Sequence, residues 1–252
     1  MIISKSKNFI YIHIEKTGGT SIEEALLPYL DWNDIIYGGT TFGNDLQNLY
    51  GKHFGYDYLE KNGLWKHADA KTINKFLSKD YEGMYKFSTV RDPQDIMVSF
   101  YYYIERNLNS YKIPNNINNL SYSKDLHEEI VVKGDDVFTD DLRNKYYLES
   151  KIDGTGIDGF IYKMINNKLR EVDPQTSKVD ESVNLYDLST INLNWKNILK
   201  KINVNENVLL PILNKSNNLK NVQLDEETVR LIKKHFEVDY NYIPQKTKID
   251  WK

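Results

Sequence analysis

Two short apolar runs, each cut off by a polar turn and followed by a helical pattern, constrain the fold of this chain more than any other feature. The first, NFIYIHI (residues 8–14), stops at EKTGGTS and resumes as IEEAL. The second, MYKFSTV (residues 84–90), stops at RDP and continues as QDIMVSFYYYI. Runs this short and this rich in β-branched and aromatic residues predict buried strands of a parallel sheet. Ser21 with Glu24, and Thr20 with Glu23, read as overlapping capping boxes, with Ile22, Ala25, Leu26 and Tyr29 at helical spacing. Asp92 and Pro93 suit the cap and first position of the second helix, which turns Ile96, Met97, Phe100, Tyr103 and Ile104 inward.

Further elements follow the same alternation. A helix is predicted after Asp69, with Ile73, Phe76 and Leu77 on one face. Residues 136–170 read as mainly helical, broken at IDGTGIDG. The last third predicts a helix around NWKNILKKI, a strand at NVLLPIL, and a closing helix from about Asp225 with Leu224 and Val229 as a hydrophobic staple. Residues 31–66 are turn-rich, and the Asn-rich stretch 107–127 reads as a mobile segment on the substrate side. Strands alternating with helices predict an α/β fold of three layers, a mostly parallel central sheet with flanking helices, in a single domain over residues 1–252.

Composition narrows the class. The 252 residues carry a net charge of −3 and no cysteine. This balance argues against nonspecific nucleic-acid binding, and the missing thiols exclude a disulfide-stapled scaffold. The N-terminal apolar run leads straight into the glycine loop and lacks a signal-peptide pattern. No run reaches the roughly 18 apolar residues of a membrane span. The chain reads as a soluble, cytoplasmic protein with no membrane insertion.

The two turns carry the chemistry. Gly18 and Gly19 let the backbone approach an anion, and the first amides of the following helix point outward with partial positive charge. Lys16 adds a full charge; Thr17, Thr20 and Ser21 add hydroxyl donors. The order differs from the nucleotide-triphosphatase loop, in which lysine follows the last glycine. Arg91 leaves the second strand at its carboxyl end, where α/β sheets bind ligands. With Ser99, two turns into the next helix, it could hold a second phosphate. An Arg–Asp pair at a helix start plus a surface serine is the plainer alternative for that stretch.

Taken together, HIEKTGGTSIEEAL and VRDPQDIMVSFYYYI resemble the two cofactor-binding signatures of sulfotransferases that use 3′-phosphoadenosine 5′-phosphosulfate (PAPS). The similarity is greatest to the branch of Golgi-type carbohydrate sulfotransferases and short bacterial relatives. It implies a P-loop-like sulfotransferase fold, with a 5′-phosphosulfate loop at Lys16, Thr17, Gly18, Gly19, Thr20 and Ser21 and a 3′-phosphate site at Arg91 and Ser99. KHADAKTINKFL resembles the segment that bears the family's catalytic histidine, which implies that role for His67. DPQTSKVD resembles a pre-substrate loop, LPILNKS a late cofactor-contacting loop, and ETVRLIKKHFEVDYNYI the closing helix. Where the family often has arginine after the aspartate of its second signature, this chain has Ile96 after Asp95.

The implied reaction is sulfuryl transfer to a hydroxyl, with PAP as product and a sugar hydroxyl favoured among acceptors. Lys16 would stabilise charge growing on the leaving phosphate. A histidine base suits the proton on the acceptor. His67 is favoured for it, His53 in the turn-rich segment is the rival, and Glu15 could serve as base or orient one. His13, inside the first strand, reads as a core or sheet-edge residue, and His127 and His235 as residues of solvated faces. No metal-binding motif is present, so no metal is expected. The competing functions are a nucleotide kinase or NTPase with magnesium on Asp92, and a non-catalytic nucleotide- or carbohydrate-binding protein.

Overall fold

The structure is a computed structural model that describes residues 1–31, 34–37, 61–110, 142–213 and 222–251. Five strands are described: β1 (Ile2–Ser4), β2 (Phe9–Ile12), β3 (Ile35–Ile36), β4 (Tyr85–Val90) and β5 (Asn184–Asp187). The helices are α1 (Gly19–Leu26), α2 (Ala70–Leu77), α3 (Lys79–Gly83), α4 (Pro93–Ser110), α5 (Leu142–Ile152), α6 (Gly156–Asn166), α7 (Ile191–Lys201), α8 (Glu226–His235) and α9 (Glu237–Thr247). The chain forms two compact units with interleaved segments. One comprises Met1–Asp92, Pro174–Lys215 and Glu237–Lys252; the other comprises Pro93–Asp173 and Ser216–Phe236.

The first unit contains the sheet, ordered β3-β1-β2-β4-β5. β2 pairs parallel with β4, and β4 with β5. β1 pairs antiparallel with both β2 and β3, so it alone opposes the common direction. This is the expected α/β architecture. The two-residue period of β2 divides the core: Ile10 and Ile12 pack with Ile73, Leu77 and Tyr81 from α2 and α3. Phe9 and Tyr11 pack on the other face with Ile22 and Leu26 of α1 and Trp195, Ile198 and Leu199 of α7. A sheet covered on both faces gives the three layers.

The second unit gathers α4, α5, α6 and α8. Tyr101 sits at 5.0 Å from Tyr147 and 5.6 Å from Phe160, ring centre to ring centre. Offset and edge contacts at this range are the favoured aromatic geometries. Tyr101 is therefore core, whereas Tyr103, expected inward, is 37% exposed. The expected mobile segment 107–127 begins inside α4, which runs to Ser110; residues 111–127 lie outside the described residues.

Several local expectations are corrected. α1 starts at Gly19 behind Gly18 in the left-handed region, with no side-chain cap, so neither capping box forms. The Glu23 carboxylate is drawn instead to His13 and the Met1 ammonium. Tyr29 lies in a 3-10 turn after α1 and is exposed. NVLLPIL is not a strand: the place beside β4 is taken by β5, Pro211 has no amide to donate, and Leu209 and Ile212 stay exposed. The single closing helix is two helices, α8 and α9, parted at Phe236. Asp69 and Asp225 do cap α2 and α8, accepting from Thr72 and Thr228 amides respectively.

Candidate active site

The glycine loop leaves the carboxyl end of β2 and is shaped by two left-handed residues, Lys16 (φ 62) and Gly18 (φ 84). The Ser21 amide donates to the Gly18 carbonyl at 3.0 Å. The amides of Gly19 and Thr20 then stand at the start of α1 outside its ladder, as an anion-binding turn requires. A side chain at Gly18 would meet Leu188 Cδ1 at 2.6 Å, and one at Gly19 would meet the His13 ring at 2.2 Å. Gly19 is thus required by close approach to a ring, and Gly18 by its φ, since the tip of Leu188 could move aside.

Hydroxyl orientation separates the three candidates. Thr17 is fully buried and donates to the Ile14 carbonyl at 2.8 Å. Its oxygen therefore accepts from Thr89 at 3.1 Å, and Thr89 in turn accepts from Tyr11 at 2.9 Å. That chain runs into the sheet, so Thr17 is not the hydroxyl donor expected of it; only its backbone remains for a ligand. Ser21 Oγ accepts from the Leu213 amide at 3.2 Å, which keeps its own proton available. Thr20 is half-buried.

His67 precedes the α2 cap. Its Nδ1 lies 2.8 Å from the His13 carbonyl oxygen, which fixes the proton on Nδ1 and leaves Nε2 as acceptor. Nε2 is 3.9 Å from Glu15 Oε1, and the His67 side chain is 16% exposed. Its ring meets Trp65 and His13 edge-on. Burial, then the charge of His13, pushes the His67 pKa down to about 2, against the opposing backbone hydrogen bond. His13 itself is buried, donates through Nδ1 to Glu23 at 2.7 Å, and is lowered to about 4 by burial. Burial alone would raise Glu23; the Met1 ammonium and His13 outweigh it and hold the carboxyl well below its usual range. The rival His53 and His127 lie outside the described residues. His235 is not on a solvated face: its Nε2 bonds the Val172 carbonyl at 2.8 Å and its ring meets Phe236.

Arg91 follows β4 directly. Its Nη1 lies 3.4 Å from the Lys16 carbonyl oxygen, so the two turns meet at one sheet edge. Its backbone is gripped by Gln175, whose Oε1 accepts from the Arg91 amide at 2.9 Å and whose Nε2 donates to the Arg91 carbonyl at 2.8 Å. Asp92 accepts from the Tyr240 hydroxyl at 3.0 Å. Ser99 stands half-buried on α4, in the second unit. Among the described residues no cluster of potential ligands is arranged for a metal ion, and no helix is long and apolar enough to cross a membrane.

Sequence reasoning missed Gln175, Asp239 and the His13–Glu23 pair. DPQTSKVD drew notice, but nothing marked Gln175 within it. A family model described as "Sulfotransferase family" matches residues 1–242. No curated protein and no solved structure gives a match.

Proposed function

This chain belongs to the sulfotransferase family, and from that premise we propose that it moves the sulfuryl group of PAPS to an acceptor hydroxyl by in-line displacement. The observation that carries the reading is the approach of Arg91 Nη1 to the Lys16 carbonyl at 3.4 Å across 75 residues of chain. That contact between the two turns supports a donor phosphorylated at both its 5′ and 3′ positions. Lys16 and the amides of Gly18, Gly19 and Thr20 take the 5′-phosphosulfate, with the Ser21 hydroxyl as donor. The Arg91 guanidinium takes the 3′-phosphate.

In the reaction the acceptor oxygen attacks sulfur and the bond from sulfur to the bridging oxygen breaks. The acceptor proton passes to Nε2 of His67, and PAP leaves with the electron pair. Lys16 and the fixed amides offset charge on the departing phosphate. A histidine held neutral is a weak base at rest. Glu15, facing Nε2, stabilises the imidazolium as it forms. Acceptors of the carbohydrate class follow from the resemblance, and a cytoplasmic setting from the sequence reading.

Titration with 3′,5′-bisphosphoadenosine and with Mg-ATP tests the donor. The bisphosphate is expected to bind at least tenfold more tightly, and Arg91→Ala to weaken it while sparing adenosine 5′-phosphosulfate. Tight Mg-ATP binding with no 3′-phosphate preference would sink the proposal in favour of a kinase or NTPase.

A further inference from the structure

Arg91 is one residue past the last ladder position of β4, where Val90 pairs with Asp187. Beyond that pair the neighbouring chain turns into a 3-10 helix at Leu188–Thr190, so the strand loses its partner where the guanidinium begins. The Gln175 side chain fills the place. Its primary amide offers one acceptor and one donor in the arrangement of a peptide group, and both meet the Arg91 backbone. Gln175 is 2% exposed, so neither bond is shared with solvent.

The turn bearing Gln175 is itself anchored. Asp239, fully buried in the first turn of α9, accepts from the Gln175 amide at 2.8 Å, the Thr176 amide at 2.9 Å and the Thr176 hydroxyl at 2.8 Å. A buried carboxylate with this many donors is satisfied and oriented, and its place at a helix start suits its charge. Three segments distant in sequence therefore converge on one backbone unit. The Gln175 Nε2 also lies 3.5 Å from Asp239 Oδ2, so the same side-chain amide links the Arg91 backbone to the buried carboxylate.

We propose that Gln175 and Asp239 are positioning residues that extend the β4 ladder by one step and thereby aim Arg91 at the 3′-phosphate of the donor. The proposal rests on the reading of Arg91 given above. It follows that Gln175 governs discrimination between ligands with and without that phosphate, and has little influence on the 5′ side.

The test is a double-mutant cycle read by calorimetric binding of 3′,5′-bisphosphoadenosine and adenosine 5′-monophosphate to wild type, Gln175→Ala, Arg91→Ala and the double variant. Gln175→Ala is expected to weaken bisphosphate binding about tenfold, the loss of one well-made pair of hydrogen bonds, and monophosphate binding less than twofold. Added to Arg91→Ala it is expected to have no further effect. Gln175→Met keeps the volume, removes both bonds and should repeat the result if the alanine variant is too unstable to assay. Equal weakening of both ligands, or additive losses in the double variant, would overturn the positioning role and leave the Arg91 reading intact. An Arg91→Ala variant with unchanged preference for the bisphosphate would overturn that reading and this proposal with it.

Discussion

His67 and Glu15 face one another across 3.9 Å, Nε2 to Oε1, too far for a direct hydrogen bond and close enough for the carboxylate to favour a charged ring. The His13 carbonyl holds the proton of His67 on the opposite nitrogen. Replacing His67 with glutamine keeps a hydrogen bond to that carbonyl and removes the base. Turnover should fall about 10²- to 10⁴-fold with donor affinity retained. Glu15→Gln should cost less, since it removes only support for the imidazolium. A larger loss for Glu15→Gln than for His67→Gln in single-turnover assays would make the carboxylate the base.

Lys16→Ala should raise the barrier by about 3–4 kcal/mol, as loss of a fixed contact to developing charge does. Its left-handed backbone is already unfavourable for any side chain, so alanine adds no new strain there. Urea denaturation should therefore shift little while turnover collapses. Unchanged turnover would remove Lys16 from the chemistry.

Gly19→Ala should destabilise the fold by about 1–3 kcal/mol. The added carbon would meet a buried ring that Glu23 already holds, so neither partner can give way easily. Gly83→Ala meets nothing within 4 Å and should stay within about 0.5 kcal/mol of wild type. Similar denaturation midpoints for the two variants would show that the loop is looser than this packing implies.

Acid should weaken the fold below neutrality. His13 (about 4) and His67 (about 2) both lie below their ordinary value of 6.5, so between those limits the unfolded chain holds more protons. Stability from their neutral burial is complete above pH 6.5 and declines as pH drops. Each contributes a slope of up to about 1.4 kcal/mol per pH unit. Glu23, held low, adds to the loss further down. Denaturation midpoints at pH 7.5, 6 and 5 should fall steadily, and His67→Gln should flatten the trend; a level profile would contradict neutral burial of both histidines.

The strands β2 and β4 and the turn after each were legible because their apolar runs are short and end in glycine or Arg-Asp-Pro. β5 was not, because NLYD lies at a sheet edge, where burial is partial and the sequence need not be greasy. NVLLPIL misled for the opposite reason: apolar residues cover Trp195 through Val208 without joining a ladder. The break at Phe236 had a readable sign, since Lys233, Lys234 and His235 end one helix and Glu237 and Asp239 begin the next, matching the reversal of helix-end charge. Within the candidate site, residue types drew notice to Lys16, Arg91 and His67 as candidates. Hydroxyl direction did not follow from type, as Thr17 shows, and Gln175 acts through a backbone group that leaves no trace in sequence spacing.

Asp239 secures the turn that holds Arg91, and its neighbour Tyr240 reaches back to Asp92 across 148 positions of chain. A nascent polypeptide with β2 and β4 already paired would lack this brace until α9 had emerged. The turn that grips the Arg91 backbone would stay loosely held until Asp239 had been made.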